Sequence, residues 1–285
     1  MSDLSHVIEM RRHLVDADAE VRIRAVQEDV WINYPTADHV VRLAGSLLKM
    51  PTKTQAPCQL VYGAPGMGKT TLYTRLQKLY GFSVEASARV ASLSLTEESG
   101  GVSNKDFTRL VVRALTANNI SDPKVPDETL LNCIRLLNVR MLLIDELNEI
   151  LNCSAREARK NLSLLKKLSG APFSISIVAL GTDECESAIA YEKQMARRFE
   201  RLCLAPWYES DQLRSFLASY ESTFPFRLPS GLSSESYVKY LIKESHGVLD
   251  DMVKIIINAA VWAIVTESDR ITLEILKQGK IRPVY

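Results

Sequence analysis

Long hydrophobic runs, paired cysteines and an excess of charge of either sign are all missing from this sequence. The longest apolar stretch, AAVWAIV at residues 259–265, is far shorter than the roughly 20 residues a membrane-spanning helix needs. The start, MSDLSHVIEMRRHLVDADAE, is polar and charged and does not resemble a signal peptide, so no membrane partner is expected and the cytoplasm is the expected location. The five cysteines are odd in number and scattered, with no C-x-x-C pair, which argues against a disulfide framework and for reduced thiols. The four histidines do not cluster with them, and no structural zinc is expected. With 35 basic and 34 acidic side chains the net charge is +1, so there is no global field to draw in nucleic acid or an anionic surface. Any such contact must come from a local patch. Internal repeats and low-complexity segments are also lacking.

What is present is enough apolar material for a real core: 285 residues, 46% of them hydrophobic. Residues 4–32 read as one helix, because Val15, Ala19, Ile23, Val26 and Val30 recur at helical spacing among charges. NYPTAD breaks it, HVVRLAGSLLKM is helical again, and PTKTQAP leads into the short apolar strand CQLVYG. Strands (ARVASLSL, VRMLLIDE, FSISIVALGT) then alternate with helices (TTLYTRLQKLY, SNKDFTRLVVRALTANN, AREARKNLSLLKKLS). That alternation predicts an α/β fold with a parallel sheet flanked by helices. From about residue 208 only helical patterns remain, and they read as a small α-helical lid. The expected division is an N-terminal helical extension over 1–50, an α/β nucleotide-binding core over 51–207, and lid and tail over 208–285.

Between the first strand and its helix lies GAPGMGKTT: Gly63, Ala64, Pro65, Gly66, Met67, Gly68, Lys69, Thr70 and Thr71. This is the G-x-x-x-x-G-K-T phosphate loop, in which glycines let successive N–H groups curl around phosphates at a helix N-terminus. Lys69 would reach the β and γ phosphates, and the Thr70 hydroxyl would ligate Mg²⁺. Asp145 and Glu146 end the apolar strand VRMLLIDE, 76 and 77 residues after Lys69. With one strand between the two motifs, Asp145 would hold Mg²⁺ through water, and Glu146 would orient and polarise an attacking water. A kinase acting on a small acceptor needs no such glutamate, so hydrolysis of ATP is favoured. Thr182, at the end of the next strand, has either a sensor-1 contact to the γ phosphate or an ordinary capping role. Arg197 and Arg198 precede Phe199 in QMARRFERL. They are either a solvated pair or the source of an arginine finger reaching a neighbouring copy's γ phosphate, with Arg198 the preferred one.

Together these residues resemble an AAA+ ATPase, and more narrowly the TniB/TnsC family, which is related to MuB and IstB. The narrower resemblance rests on Trp31, Ile32, Tyr34, Pro35 and Ala37 after a charged helix, and on LLIDELNEIL, LKKLS, IVALGTDECESAI and MARRFERLCLAPW in the family's order. It implies an ATP-dependent DNA-binding regulator of transposition that oligomerises, as a ring or helical filament, on duplex DNA. Such a protein marks a target site and recruits a transposase, with a TniQ-type adaptor on one face, and hydrolysis drives disassembly. The resemblance also implies that GGVSNKDFTRL lines the DNA path, with Lys105 first and Arg109 and Arg113 behind it; a solvated helix face is the other reading of these three. One departure stands out. Where a lid arginine (sensor 2) is expected, the sequence has HGVLDDMVKII, with Asp250 and Asp251, and Lys254 as the nearest base. A slow ATPase that times an assembly follows better from this than a processive motor. Two other classes remain open: a helicase-loader or initiator type of AAA+ DNA protein, and a protein-binding signalling ATPase.

Overall fold

The computed structural model describes residues 4–81, 89–95 and 101–285. In chain order the helices and strands are α1 (Ala19–Gln27), α2 (Pro35–Lys49), β1 (Cys58–Tyr62), α3 (Lys69–Tyr80), β2 (Arg89–Ser94), α4 (Asn104–Leu115), α5 (Asp127–Leu136), β3 (Val139–Asp145) and α6 (Ala155–Leu168). They continue with β4 (Ser176–Gly181), α7 (Asp183–Tyr191), α8 (Lys193–Ala196), β5 (Phe199–Cys203), α9 (Asp211–Glu221), α10 (Glu235–Ser245), α11 (Leu249–Val265) and α12 (Leu273–Gln278). Short 3₁₀ helices cover Glu9–Leu14 and Leu147–Ile150. The chain forms two compact units, Thr36–Ala205 and Met1–Pro35 with Pro206–Tyr285. Residues 1–50, read as one segment from sequence, are thus shared between them. None of the described helices is long and apolar enough to cross a membrane.

The first unit is built on a five-stranded sheet in the order β2-β3-β4-β1-β5, with every pairing parallel. The central strands are buried along their length, as expected for a sheet covered on both faces: β3 reads VRMLLID and β4 reads SIVALG. Register places Ile144 of β3 beside Ala179 of β4, and Leu60 of β1 beside Ala179 and Arg201. Helices close over these strands through apolar stripes. The α4 helix buries Phe107, Val111, Val112 and Leu115, and Ser103 caps it by accepting the Asp106 N–H at 3.2 Å. The α6 helix is capped by Ser154 and buries Leu165 and Leu168 beside one polar residue, Asn161.

In the second unit α1 packs with α9 to α12 around Leu213, Leu217, Phe224, Met252, Ile256 and Leu276. A ladder of aromatics runs through it. Tyr34 meets Trp207 at 5.1 Å and Phe216 at 6.1 Å between ring centres, both edge-on.

Three sequence expectations change here. Residues 4–32 are not one helix: a 3₁₀ turn ends at Leu14, α1 begins at Ala19, and Glu28 already has extended backbone. Asp16 and Asp18 interrupt the periodic pattern with short polar side chains that favour turns and caps over helix interiors. Pro35 does not break a helix but opens α2, since its fixed φ and missing N–H cost nothing at a first helical position. The helices α5, α7 and α8 and the strand β5 complete the unit without having been expected. Ala88 and Gly100, which begin two of the expected segments, lie outside the described residues.

Phe107 is fully buried in the core of the sheet unit. Its replacement by alanine is expected to cost about 3–5 kcal/mol, read as a lower urea midpoint at unchanged slope.

Candidate functional site

Because all strands run the same way, the loops after β1, β4 and β3 emerge side by side at one sheet edge. The loop after β1 turns back into α3 through Gly66 and Gly68, whose φ values of 78° and 87° lie in the left-handed region. At Gly63 a Cβ would stand 2.6 Å from the Leu204 carbonyl oxygen, so close packing alone requires glycine there. Lys69 is the first residue of α3 and is buried. Its ammonium donates to the carbonyls of Gly63 at 2.9 Å and Ala64 at 3.0 Å, folding the loop around a single positive charge.

Asp145, at the end of β3, is buried, and its Oδ1 accepts the Glu146 N–H at 3.0 Å. Burial pushes this carboxyl above the usual carboxylate range. The Glu146 N–H opposes the shift, the Glu146 charge adds to it, and the neighbouring Thr70 hydroxyl and Lys69 ammonium also oppose it. The hydroxyl of exposed Thr70 and the buried Asp145 carboxylate beside it are hard oxygen donors, and they fit a magnesium ion whose remaining ligands are phosphate and water. Among the described residues, no group of three or more His, Cys, Asp or Glu could hold a metal. An ion here would therefore depend on the phosphates for coordination.

Glu146 follows with φ 53° and ψ 47°, a left-handed conformation that a β-carbon makes unfavourable. The strained residue sets off the 3₁₀ turn, in which its carbonyl accepts the Glu149 N–H at 3.0 Å. Across the edge, Thr182 follows β4. Its hydroxyl is buried without a hydrogen-bond partner of good geometry; the Cys185 thiol, pushed up to about 11 by burial, lies beside it, and the Thr182 hydroxyl opposes that shift. An unpaired hydroxyl beyond the end of a central strand retains the capacity to donate or accept one more hydrogen bond. The structure thus brings Lys69, Thr70, Asp145 and Glu146 together, with Thr182 on the adjoining strand.

Arg197 and Arg198 lie at the opposite edge. The Arg198 carbonyl accepts the N–H of Cys58, the first residue of β1, so roughly 13 Å of strand separates it from the phosphate loop. Its guanidinium is committed within its own chain, donating from Nη1 to the Lys166 carbonyl and to Ser169 Oγ, both at 2.9 Å. Arg197 is exposed. The geometry therefore favours Arg197, not Arg198, as the residue free to reach another molecule. The sequence carries no sign of this, because the partners of Arg198 come from another helix.

Lys105, Arg109 and Arg113 share one face of α4 at intervals of four residues. Lys105 and Arg113 are exposed, whereas Arg109 is paired with Asp106 Oδ1 at 2.6 Å. Lys254 is likewise taken, held 2.6 Å from Asp250 one helical turn earlier. A residue the sequence reading passed over is Asn161, fully buried on α6. The signal was an asparagine in the register of that helix's apolar stripe.

Replacing Arg198 by alanine leaves the Lys166 carbonyl and the Ser169 hydroxyl short of a donor, at an expected cost of about 1–3 kcal/mol in urea unfolding. Arg197→Ala is expected to stay within about 0.5 kcal/mol of the parent. The reverse order would make Arg197 the scaffold residue.

Solved structures share this fold. The Aeropyrum pernix ORC2 protein, in ADPNP-ADP complexes, has a TM-score of 0.61 at 17% identity over 90% of this chain and 70% of that one. The Aeropyrum pernix ORC1 protein in complex with DNA has a TM-score of 0.60 at 15% identity, covering 90% of this chain and 68% of its own. The Thermotoga maritima RuvB Holliday junction branch migration motor has 0.52 at 17%, covering 90% and 72%. Identities this low speak for the fold alone, that of the P-loop AAA+ ATPases. No curated protein matches the chain in sequence. The family model for the bacterial TniB protein matches residues 22–209, a span that takes in the phosphate loop, the Asp145–Glu146 strand end, Thr182 and both arginines. On that match the chain belongs to the TniB family.

Proposed function

We propose that this TniB-family chain is an ATP-driven switch in transposition: ATP-bound copies assemble on duplex DNA, mark the target site and recruit a transposase, and hydrolysis dissolves the assembly. A TniQ-type adaptor engages one face of that assembly. The observation that carries the reading is a division of labour across the sheet. Lys69, Thr70, Asp145, Glu146 and Thr182 occupy one edge, and the exposed Arg197 sits at the other, where it cannot serve its own nucleotide. A site that holds Lys69 but needs a further cation from a second copy ties hydrolysis to assembly.

In this mechanism Lys69 exchanges the Gly63 and Ala64 carbonyls for the β and γ phosphates, while the loop N–H groups hold the remaining phosphate oxygens. Thr70 and Asp145 would hold Mg²⁺, which when bound would supply charge neutralisation at the phosphate oxygens. Glu146 takes the proton of the attacking water, and the Thr182 hydroxyl steadies the water or the γ phosphate. Lys254, held by Asp250, offers nothing in place of a lid arginine, which is consistent with slow turnover. Lys105 and Arg113 supply a few phosphate contacts per copy. Such binding is weak and indifferent to sequence in a single copy and becomes strong when many copies add. This suits a chain of net charge +1.

The test is fluorescence anisotropy of a labelled random-sequence duplex with ATP, a slowly hydrolysed analogue or ADP at one fixed salt concentration. Glu146→Gln is expected to retain ATP, lose about 100-fold or more in hydrolysis, and accumulate the DNA-bound oligomer. Normal turnover in that variant would remove Glu146 from the chemistry, and no duplex binding in any nucleotide state would leave an ATPase that acts on proteins. Lys105→Ala is expected to weaken binding to all duplexes alike and to flatten the log–log salt dependence by about 0.9, the share of one neutralised phosphate. An unchanged slope would return Lys105 to a solvated helix face.

A further inference from the structure

Asn161 is fully buried in the apolar stripe of α6, where an amide with unmet hydrogen bonds would cost about 1–3 kcal/mol. Its hydrogen bonds are met by two separate segments. Nδ2 donates to the Val102 carbonyl at 3.2 Å and to the Ile150 carbonyl at 3.0 Å, and Oδ1 accepts from Asn104 Nδ2 at 3.1 Å. Two carbonyls facing one end and an amide donor facing the other fix which end is nitrogen. Val102 and Asn104 lead into α4, the helix of Lys105, and Ile150 ends the turn that Glu146 begins.

The same two segments are fastened again nearby. Val102 N–H donates to the Glu149 carbonyl at 3.1 Å, and Asn104 N–H donates to Glu157 Oε2 at 2.9 Å. At Gly101, with φ 71°, a Cβ would stand 2.1 Å from the Asn152 carbonyl oxygen, so the two backbones touch with no room for a side chain. Ser154 and Glu157 have the spacing of a capping box, yet the Glu157 carboxylate reaches across to α4 as well as to Lys160. The turn so gripped is not at rest. Glu146 is left-handed, and Glu149 is buried with Oε1 taken by Asn148 and Asn152 while Oε2 has no partner. The side-chain oxygen of Asn148 is unpartnered too. Leu147 and Ile150 anchor the turn in the core, while its strained start at Glu146 and its unpartnered polar atoms leave the attachments to α4 and α6 to set its polar side.

We propose that Asn161 is a positioning residue that ties the start of α4 to the Glu146 turn, so that phosphates loading Lys105 reset the hydrolytic carboxylate. This rests on the DNA-binding reading above and adds to it the route by which duplex DNA stimulates ATP hydrolysis. Lys105 directly follows Asn104, so any movement that DNA imposes on the first turn of α4 pulls on the Asn104–Asn161 bond. From there it passes through the Ile150 carbonyl to the turn that opens at Glu146.

The experiment uses the full chain, ATP and a random-sequence duplex, and compares the parent with Asn104→Ala and Asn161→Ala. Asn104→Ala removes one side-chain bond and keeps the backbone bond to Glu157. It leaves the buried Asn161 Oδ1 without its donor and is expected to lower the melting temperature modestly, while the basal rate and the KM for ATP stay as in the parent; stimulation is read at saturating duplex, so that a change in duplex affinity does not enter. The DNA-stimulated increase in kcat is expected to fall by at least about fivefold, the lower end of ordinary coupling between sites. Asn161→Ala is expected to lose the same stimulation with some loss of stability; if it does not fold, Asn104→Ala decides alone. Stimulation of Asn104→Ala equal to the parent's overturns the proposal. A parent that binds duplex without any change in kcat overturns it while the DNA reading stands, and a parent that binds no duplex in any nucleotide state removes both.

Discussion

Because β1 pairs in parallel with β4 on one side and β5 on the other, the carboxyl ends of the strands are forced along a single edge. A parallel pair needs a crossover between its strands, and here the crossovers are the helices that cover both faces. The phosphate loop, Asp145–Glu146 and Thr182 are thereby neighbours in space although more than a hundred residues separate the first from the last. The same register carries the start of β5, and the arginines before it, to the far edge.

Buried polar groups around this edge account for its finer geometry. Lys69 is paired in its buried position with two carbonyls, and Asp145 is held close to a hydroxyl and an N–H. Each group is paired with atoms that a bound nucleotide or ion can replace, which lowers the reorganisation needed on binding. Arg198 and Asn161 are of the opposite kind. Their partners are backbone carbonyls and polar side chains of their own chain, so their polarity fixes structure.

The sequence reveals most where burial is complete. CQLVYG, VRMLLIDE and FSISIVALGT contain apolar runs because both faces of their strands are covered, and the glycines of the phosphate loop announce a turn that other residues resist. FERLC is hidden for the converse reason: β5 lies at the sheet edge, and Glu200 and Arg201 give it the composition of a surface loop. The first 30 residues mislead because helical spacing of apolar residues continues across Asp16–Asp18, where the backbone does not. Side-chain partnerships are beyond any local pattern. Nothing in QMARRFERL distinguishes the arginine bound to Lys166 and Ser169 from the exposed one beside it, and Asn161 acquires its meaning only from segments 59 and 11 residues away.

The composition of β5 has a further consequence. Its free edge offers unpaired backbone groups, the usual template for edge-to-edge aggregation. Here Glu200 stands exposed 3.6 Å from His39, and Arg201 reaches Glu186 at 2.6 Å. A strand laid along this edge from outside would have to strip water from both charges and displace their partners, which is unfavourable even before register is considered. The strand that follows a structural arginine is thus also a guarded border, closed to a strand added from outside.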